Sequence, residues 1–203
     1  MKVIKPNIVC ITTFRELSYD ECNKFIKEQE KFIVRRINEF KNDKVNIDKI
    51  HFLGKEYNLI IINSAYDRVR INNDSIIVEV VNDSSEHIRY VIHKMYAEAL
   101  SAIVNKNIEV IKNDMNIHFT ISFIYKDVAS YYGKCYFSRR VIALQTSLCK
   151  YEMKYILSVI YHEMAHFYYQ DHQSGFYKLL ESKIPGYKKL QHELRMTKYR
   201  EIY

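Results

Sequence analysis

Residues 156–166 read Ile-Leu-Ser-Val-Ile-Tyr-His-Glu-Met-Ala-His, placing His162 and His166 four positions apart with Glu163 directly after the first. On a helix that spacing puts both imidazoles on one face, Cβ atoms about 5 to 6 Å apart, a bite that lets both reach one tetrahedral zinc. Glu163 projects from the neighbouring face, where a carboxylate need not be a ligand and can instead take a proton from an activated water. His172 follows six residues after His166, beyond the expected helix end, where the chain can turn back toward the same ion. From residue frequencies, a chance HExxH in this chain has a probability of roughly 2%, and adding the third histidine lowers it to about one in a thousand. Three imidazoles leave a fourth position open, as catalytic zinc sites do and closed structural sites do not. The expected zinc ligands are therefore His162, His166 and His172, with Glu163 as general base. His51, His87, His93 and His118 have no partner at ligand spacing. His192, in Gln191-His-Glu-Leu-Arg195, lacks a second histidine and reads as a surface residue.

Several elements must hold these groups in place. The periodicity predicts a helix from Tyr151 to about Tyr169 carrying the motif. Ser18 to Glu21 has the form of a capping box and predicts a helix from Ser18 to Phe40. Asp83 to Glu86 has the same form, and Ile88, Val91, Ile92, Met95, Ile103, Val110 and Ile111 continue it as a long amphipathic helix ending near Asn113. Phe52 to Ile62, Asp67 to Asn72 and Ser75 to Val81 read as short strands, the last two joined by a turn at Asn72-Asn73-Asp74. His118 to Lys126 and Arg140 to Thr146 are two further expected strands, and Ile8 to Thr13 another. Between them Gly133, in Tyr132-Gly-Lys-Cys135, is expected to shape a bulge or strand end beside the site. Helices and strands mixed without strict alternation predict an α+β fold with a small, mostly antiparallel sheet. With no repeat and no Ser/Gly/Pro-rich linker, residues 1 to 203 are expected to form a single domain.

Composition narrows the classes of function. Apolar residues make up 48% of the 203 residues and charged residues 27%, which excludes disordered and low-complexity chains. The longest uncharged stretch, Met115 to Tyr125, is far short of the roughly 20 apolar residues of a membrane span. Pro6, Asn7 and Arg15 interrupt any signal-peptide core near the amino terminus, so a cytoplasmic location is expected. Cys10, Cys22, Cys135 and Cys149 form no CxxC pair and read as reduced thiols, with Cys135 lacking an activating base. The net charge of +7 is spread as +3, +2 and +2 over residues 1 to 50, 51 to 150 and 151 to 203. Even spreading marks a solvated surface rather than a nucleic-acid footprint.

Past the motif, His172-Gln-Ser-Gly-Phe176-Tyr177 resembles the YgjP-like zinc metallopeptidases, relatives of the SprT-like and WLM groups. In that family a HELAH-type helix is followed by a third histidine and an aromatic pair that opens the next helix. Phe52-Leu-Gly-Lys-Glu-Tyr57 resembles its fLGxxY strand start, and Tyr132-Gly-Lys-Cys135 its WGSC segment. The likeness spans roughly residues 18 to 195. The chain has no Trp, and Phe32, Tyr132 and Tyr177 stand where the family pattern has it, with Lys134 in place of a serine. The resemblance implies a zincin-like fold, a Zn2+ ion on His162, His166 and His172, and Glu163 as base in peptide hydrolysis. Tyr177, Arg139, Arg140 and Tyr132 are open candidates for stabilising an oxyanion. Three other functions remain open at this point: a protease for DNA-crosslinked proteins, a nucleotide phosphohydrolase using Lys134, Arg139 and Arg140, and a non-catalytic zinc domain.

Overall fold

The computed structural model describes residues 2–5, 8–10, 17–35, 49–197 and 199. They fall into two compact units, one within residues 1–46 and the other within residues 47–202. In the first, β1 (Lys2–Lys5) pairs antiparallel with β2 (Ile8–Cys10). Residues 11–13 of the expected strand lie outside the described residues. Helix α1 (Tyr19–Glu28) begins with the anticipated box: the Ser18 hydroxyl accepts from the Glu21 N–H, and the Glu21 carboxylate accepts from the Ser18 N–H. Residues 30–35 are again helical, and residues 36–40 of the expected helix lie outside the described residues.

The second unit holds two sheets. One has the order β3-β4-β6-β5, built from β3 (Lys49–Phe52), β4 (Lys55–Asn63), β5 (Arg68–Ile71) and β6 (Ser75–Val80). Strands β3 and β4 form a hairpin where the sequence pattern shows one continuous strand. The chain reverses at Leu53 and Gly54, with φ of 50° and 83°, the doubly positive turn that matches strand twist. A side chain on Gly54 would also meet the backbone and side chain of Glu152. Strand β6 sits between β4 and β5, parallel to the first and antiparallel to the second, because β5 is laid beyond it before the chain turns back at residues 72–74. The other sheet has the order β7-β9-β8, from β7 (Ser122–Lys126), β8 (Gly133–Tyr136) and β9 (Val141–Gln145). Pairing is thus mostly antiparallel, with one parallel pair in each sheet of this unit.

Helix α2 (Ser85–Asp114) packs on β5, β6 and β7. Its cap is Ser84, one residue later than the pattern implied, accepting from the His87 N–H at 3.3 Å. Ile92, Tyr96 and Leu100 are fully buried against Ile76, Val78 and Val80 of β6, whereas Val110 is 70% exposed and belongs to the solvent face. The buried stripe therefore drifts to Ile103, Val104 and Ile111 as the helix lengthens. Three helices complete the unit: α3 (Met153–Ala165), α4 (Ser174–Lys183) and α5 (Tyr187–Met196). Helix α3 is shorter than its pattern because the Tyr168 and Tyr169 N–H groups both turn onto the Ala165 carbonyl, closing the helix. Cys22, Cys135 and Cys149 are free thiols. Among the described residues no helix is long and apolar enough to cross a membrane.

Candidate metal centre

Helix α3 supplies His162 from its last full turn and His166 from its C-cap, with ring centroids 5.1 Å apart. The segment after it folds back so that His172 Nε2 lies 3.1 Å from His162 Nε2. Ligand nitrogens of all three histidines fall within 4.8 Å of one another. Two nitrogens bound at about 2.0 to 2.1 Å to one tetrahedral ion would be about 3.3 Å apart, close to the observed His162–His172 spacing. The outward nitrogens point the same way chemically. His166 Nδ1 donates to the Tyr169 carbonyl at 2.9 Å, and His162 Nδ1 lies 2.6 Å from the Tyr187 hydroxyl oxygen. An Nδ1 that donates to a carbonyl, as in His166, leaves the Nε2 lone pair free to face inward, and both Nδ1 contacts orient their rings as partners of metal-bound histidines do. The residues present fit a divalent ion.

Phe176 makes the floor. Its ring is fully buried and stands 4.8 to 4.9 Å from the rings of His162, His166 and His172. That apolar surface desolvates the site, and with the neighbouring imidazoles it lowers the His162 pKa to about 3, keeping the ring neutral and able to ligate. Burial also lowers the His172 pKa, to which His166 and Arg195 add.

Glu163 is 5% exposed, and burial raises its carboxyl pKa to about 8, against a smaller opposing pull from the Cys135 backbone N–H that donates to it. That donor comes from β8, the edge of its sheet, which lies alongside α3. Gly133 is required here for space: a Cβ would come within 2.6 Å of Glu163 Cγ and Oε1. Gly133 is the expected strand end beside the site, paired in register with Leu144 and so not a bulge, and it is where the strand backbone touches the acid. Cys135 is itself a thiol whose pKa burial pushes up to about 12, which fits neither a ligand nor a nucleophile.

Two cavities meet at Gly133, His162, Glu163 and His172. One extends past Tyr132, Tyr187, Gln191 and Arg195, the other past Lys134, Cys135, Phe137 and Gln170. Of the four oxyanion candidates, only Tyr132 lines a cavity, and its hydroxyl is shared with Tyr151 and the Leu194 carbonyl. Tyr177 sits 6.5 Å from the His172 ring, ring to ring, and Arg140 lies over Phe119. Arg139 and Arg140 line neither cavity, while Lys134 lines the second.

Tyr187, Gln191 and Arg195 escaped sequence reasoning. They lie at positions i, i+4 and i+8 of α5, a helical face that the sequence pattern could have flagged but whose partner it could not name. The other histidines stand apart from the site: His192 is exposed, and His51, His87, His93 and His118 lie outside the cluster.

No curated protein is similar to the chain at a significant level. Among solved structures, the metallopeptidase zymogen of Pyrococcus abyssi abylysin aligns at 18% identity and a TM-score of 0.44, over 49% of this chain and 99% of that one. The model of the YgjP-like, metallopeptidase domain family matches residues 2–197, nearly the whole chain and every residue of the His162-Glu163-His166-His172 constellation, so the chain belongs to that metallopeptidase family.

Proposed function

We propose that the protein is a zinc-dependent peptidase in which His162, His166 and His172 hold the ion and Glu163 is the general base. The observation that supports this most is the convergence of three imidazole nitrogens within 4.8 Å beside a buried carboxylate at the junction of two cavities. A zinc ion bound there supplies a water of lowered pKa, near 7, and polarises the scissile carbonyl. The chain's own residues do the rest. His166 Nδ1–H is held by the Tyr169 carbonyl, so that ring keeps the tautomer that offers Nε2, and the Tyr187 hydroxyl at 2.6 Å from Nδ1 fixes the orientation of the His162 ring. Glu163, its pKa raised toward neutrality, takes the proton from the attacking water on a carboxylate oxygen and passes it to the leaving amine. The Cys135 N–H keeps that carboxylate aimed, and Gly133 leaves it room.

Strand β8 pairs only with β9 among the described residues, so its outer edge can accept an extended peptide lying across the two cavities. That arrangement supports a peptide rather than a compact small molecule as substrate. The test combines elemental mass spectrometry with peptide cleavage. About one zinc per chain is expected, lost in His162→Ala/His166→Ala, and Glu163→Gln is expected to keep the zinc while losing cleavage by a factor of about 10² to 10⁴. Unaltered cleavage by Glu163→Gln would overturn the assignment of the base, and a protein that neither carries nor takes up zinc would overturn the whole reading.

A further inference from the structure

The two cavities that meet at the metal centre each carry one cation. Lys134 lines one, and its ammonium lies 5.3 Å from the centre of the Tyr136 ring, which engages it. Arg195 lines the other. It is exposed in the last turn of α5 and, among the described residues, has no carboxylate partner. It shares that cavity with His162, Glu163, His172 and Tyr187. Glu193, two positions earlier on the helix, faces away from it and accepts from the Tyr155 hydroxyl. Glu163, the carboxylate of the cavity, is buried and held by the Cys135 N–H. An arginine lining a cavity beside the three histidines, with no carboxylate partner among the described residues, matches a planar carboxylate better than any neutral group.

We propose that Arg195 is a specificity-determining residue that binds a carboxylate of the peptide substrate next to the scissile bond. The carboxylate comes from a Glu or Asp side chain or from the chain's own carboxy terminus. Gln191, one turn earlier on the same face and bonded to the Tyr187 hydroxyl at 3.2 Å, forms the wall along which that residue lies. The inference rests on peptide hydrolysis as the activity of the site and adds its substrate class.

The experiment uses zinc-loaded full-length protein and fluorogenic peptide sets that differ at one position at a time, with Glu, Gln or Lys, each made with a free or an amidated carboxy terminus. The expected result is a kcat/KM for the Glu peptide, or for the free terminus, at least about tenfold above its neutral counterpart at one position. Which arm responds identifies the source of the carboxylate. In Arg195→Ala the ratio falls to near one, and in Arg195→Glu it turns toward Lys. Lys189→Ala, on the same helix with its side chain 84% exposed, leaves the ratio as in the wild type. A neutral peptide cleaved as well as an acidic one at every position would overturn the carboxylate subsite and leave peptide hydrolysis standing. Cleavage of no peptide would overturn both, and Arg195-dependent hydrolysis of a nucleoside triphosphate in its place would assign the cation to phosphate.

Discussion

Glu163 and Tyr187 differ from ordinary members of their residue types because of what surrounds them. For Glu163 burial favours the neutral acid, so in the metal-free protein the fold carries a cost that appears once the carboxyl would ionise. The unfolded chain ionises near pH 4.5 and the folded one near pH 8, so this cost is absent below 4.5, grows between the two and is complete above 8. Glu163→Gln, stripped of metal by a chelator, should therefore match the wild type near pH 4 and exceed its stability by on the order of 5 kcal/mol at pH 8.5. Denaturant titrations at the two pH values would check this; a gap that shrinks with rising pH would contradict it. His162 behaves with the opposite sign. Its lowered pKa makes stability fall as pH drops from 6.5 toward 3, equally in both proteins, so it cancels from the comparison. Tyr187 acts through His162. Removing its hydroxyl in Tyr187→Phe takes away the hydrogen-bond partner at 2.6 Å and should weaken zinc about 10- to 100-fold in chelator competition, with the fold intact.

The site depends on short elements meeting at corners. Helix α4 lowers Phe176 beneath the three imidazoles, and its Glu181 carboxylate accepts from the backbone N–H groups of Gly186, Tyr187 and Lys188 at the start of α5. Gly186, with φ of 81°, makes the sharp turn that this requires. One acidic side chain thereby sets the angle at which α5 brings Tyr187 to His162 and Arg195 to the cavity. Strand β8 performs the same service from the other side, through Gly133. Gly133→Ala should displace the Glu163 carboxylate, since the added carbon would sit 2.6 Å from it. The expected outcome is a loss of peptide cleavage with zinc content unchanged, and retained cleavage would mean that the strand can retreat. His172, on the exposed return segment, is tethered less. His172→Ala should still lower zinc affinity by orders of magnitude, because two imidazoles alone hold zinc weakly. Equal zinc retention would remove it from the ligand set.

At the scale of the molecule, a metal ion that binds only the folded chain stabilises it by mass action. A free zinc concentration a thousandfold above Kd adds about 4.1 kcal/mol, which a chelator should remove and which His162→Ala/His166→Ala should not show. Thermal unfolding with and without chelator reads this directly. Residues 1–46 and 47–202 form separate compact units, while the family match runs through both. We propose that they nonetheless unfold as the one domain that the linker-free sequence suggests. A single transition that shifts as a whole with zinc is expected, and a second, zinc-insensitive transition would divide the chain in two. The pairing of His162 with His166 and the neighbouring Glu163 was legible in the sequence because it depends on local geometry: helical spacing alone puts His162 and His166 on one face, and a spacing of four suffices to define it. The capping boxes were legible for the same reason, through contacts between residues three apart. The hairpin at Leu53-Gly54 was hidden because its second strand continues the apolar pattern of the first. Parallel pairing of β4 with β6 and of β7 with β9, the closeness of Gly133 to Glu163, and the bond from His162 to Tyr187 join residues tens of positions apart. No periodicity encodes such meetings; they exist only once burial of the apolar faces has chosen how strands and helices pack. The sequence by itself determined which reactive side chains the chain offers and at what spacing, and the tertiary structure decided what holds the acid and what stands around the three imidazoles, because pKa and orientation are set by neighbours in space.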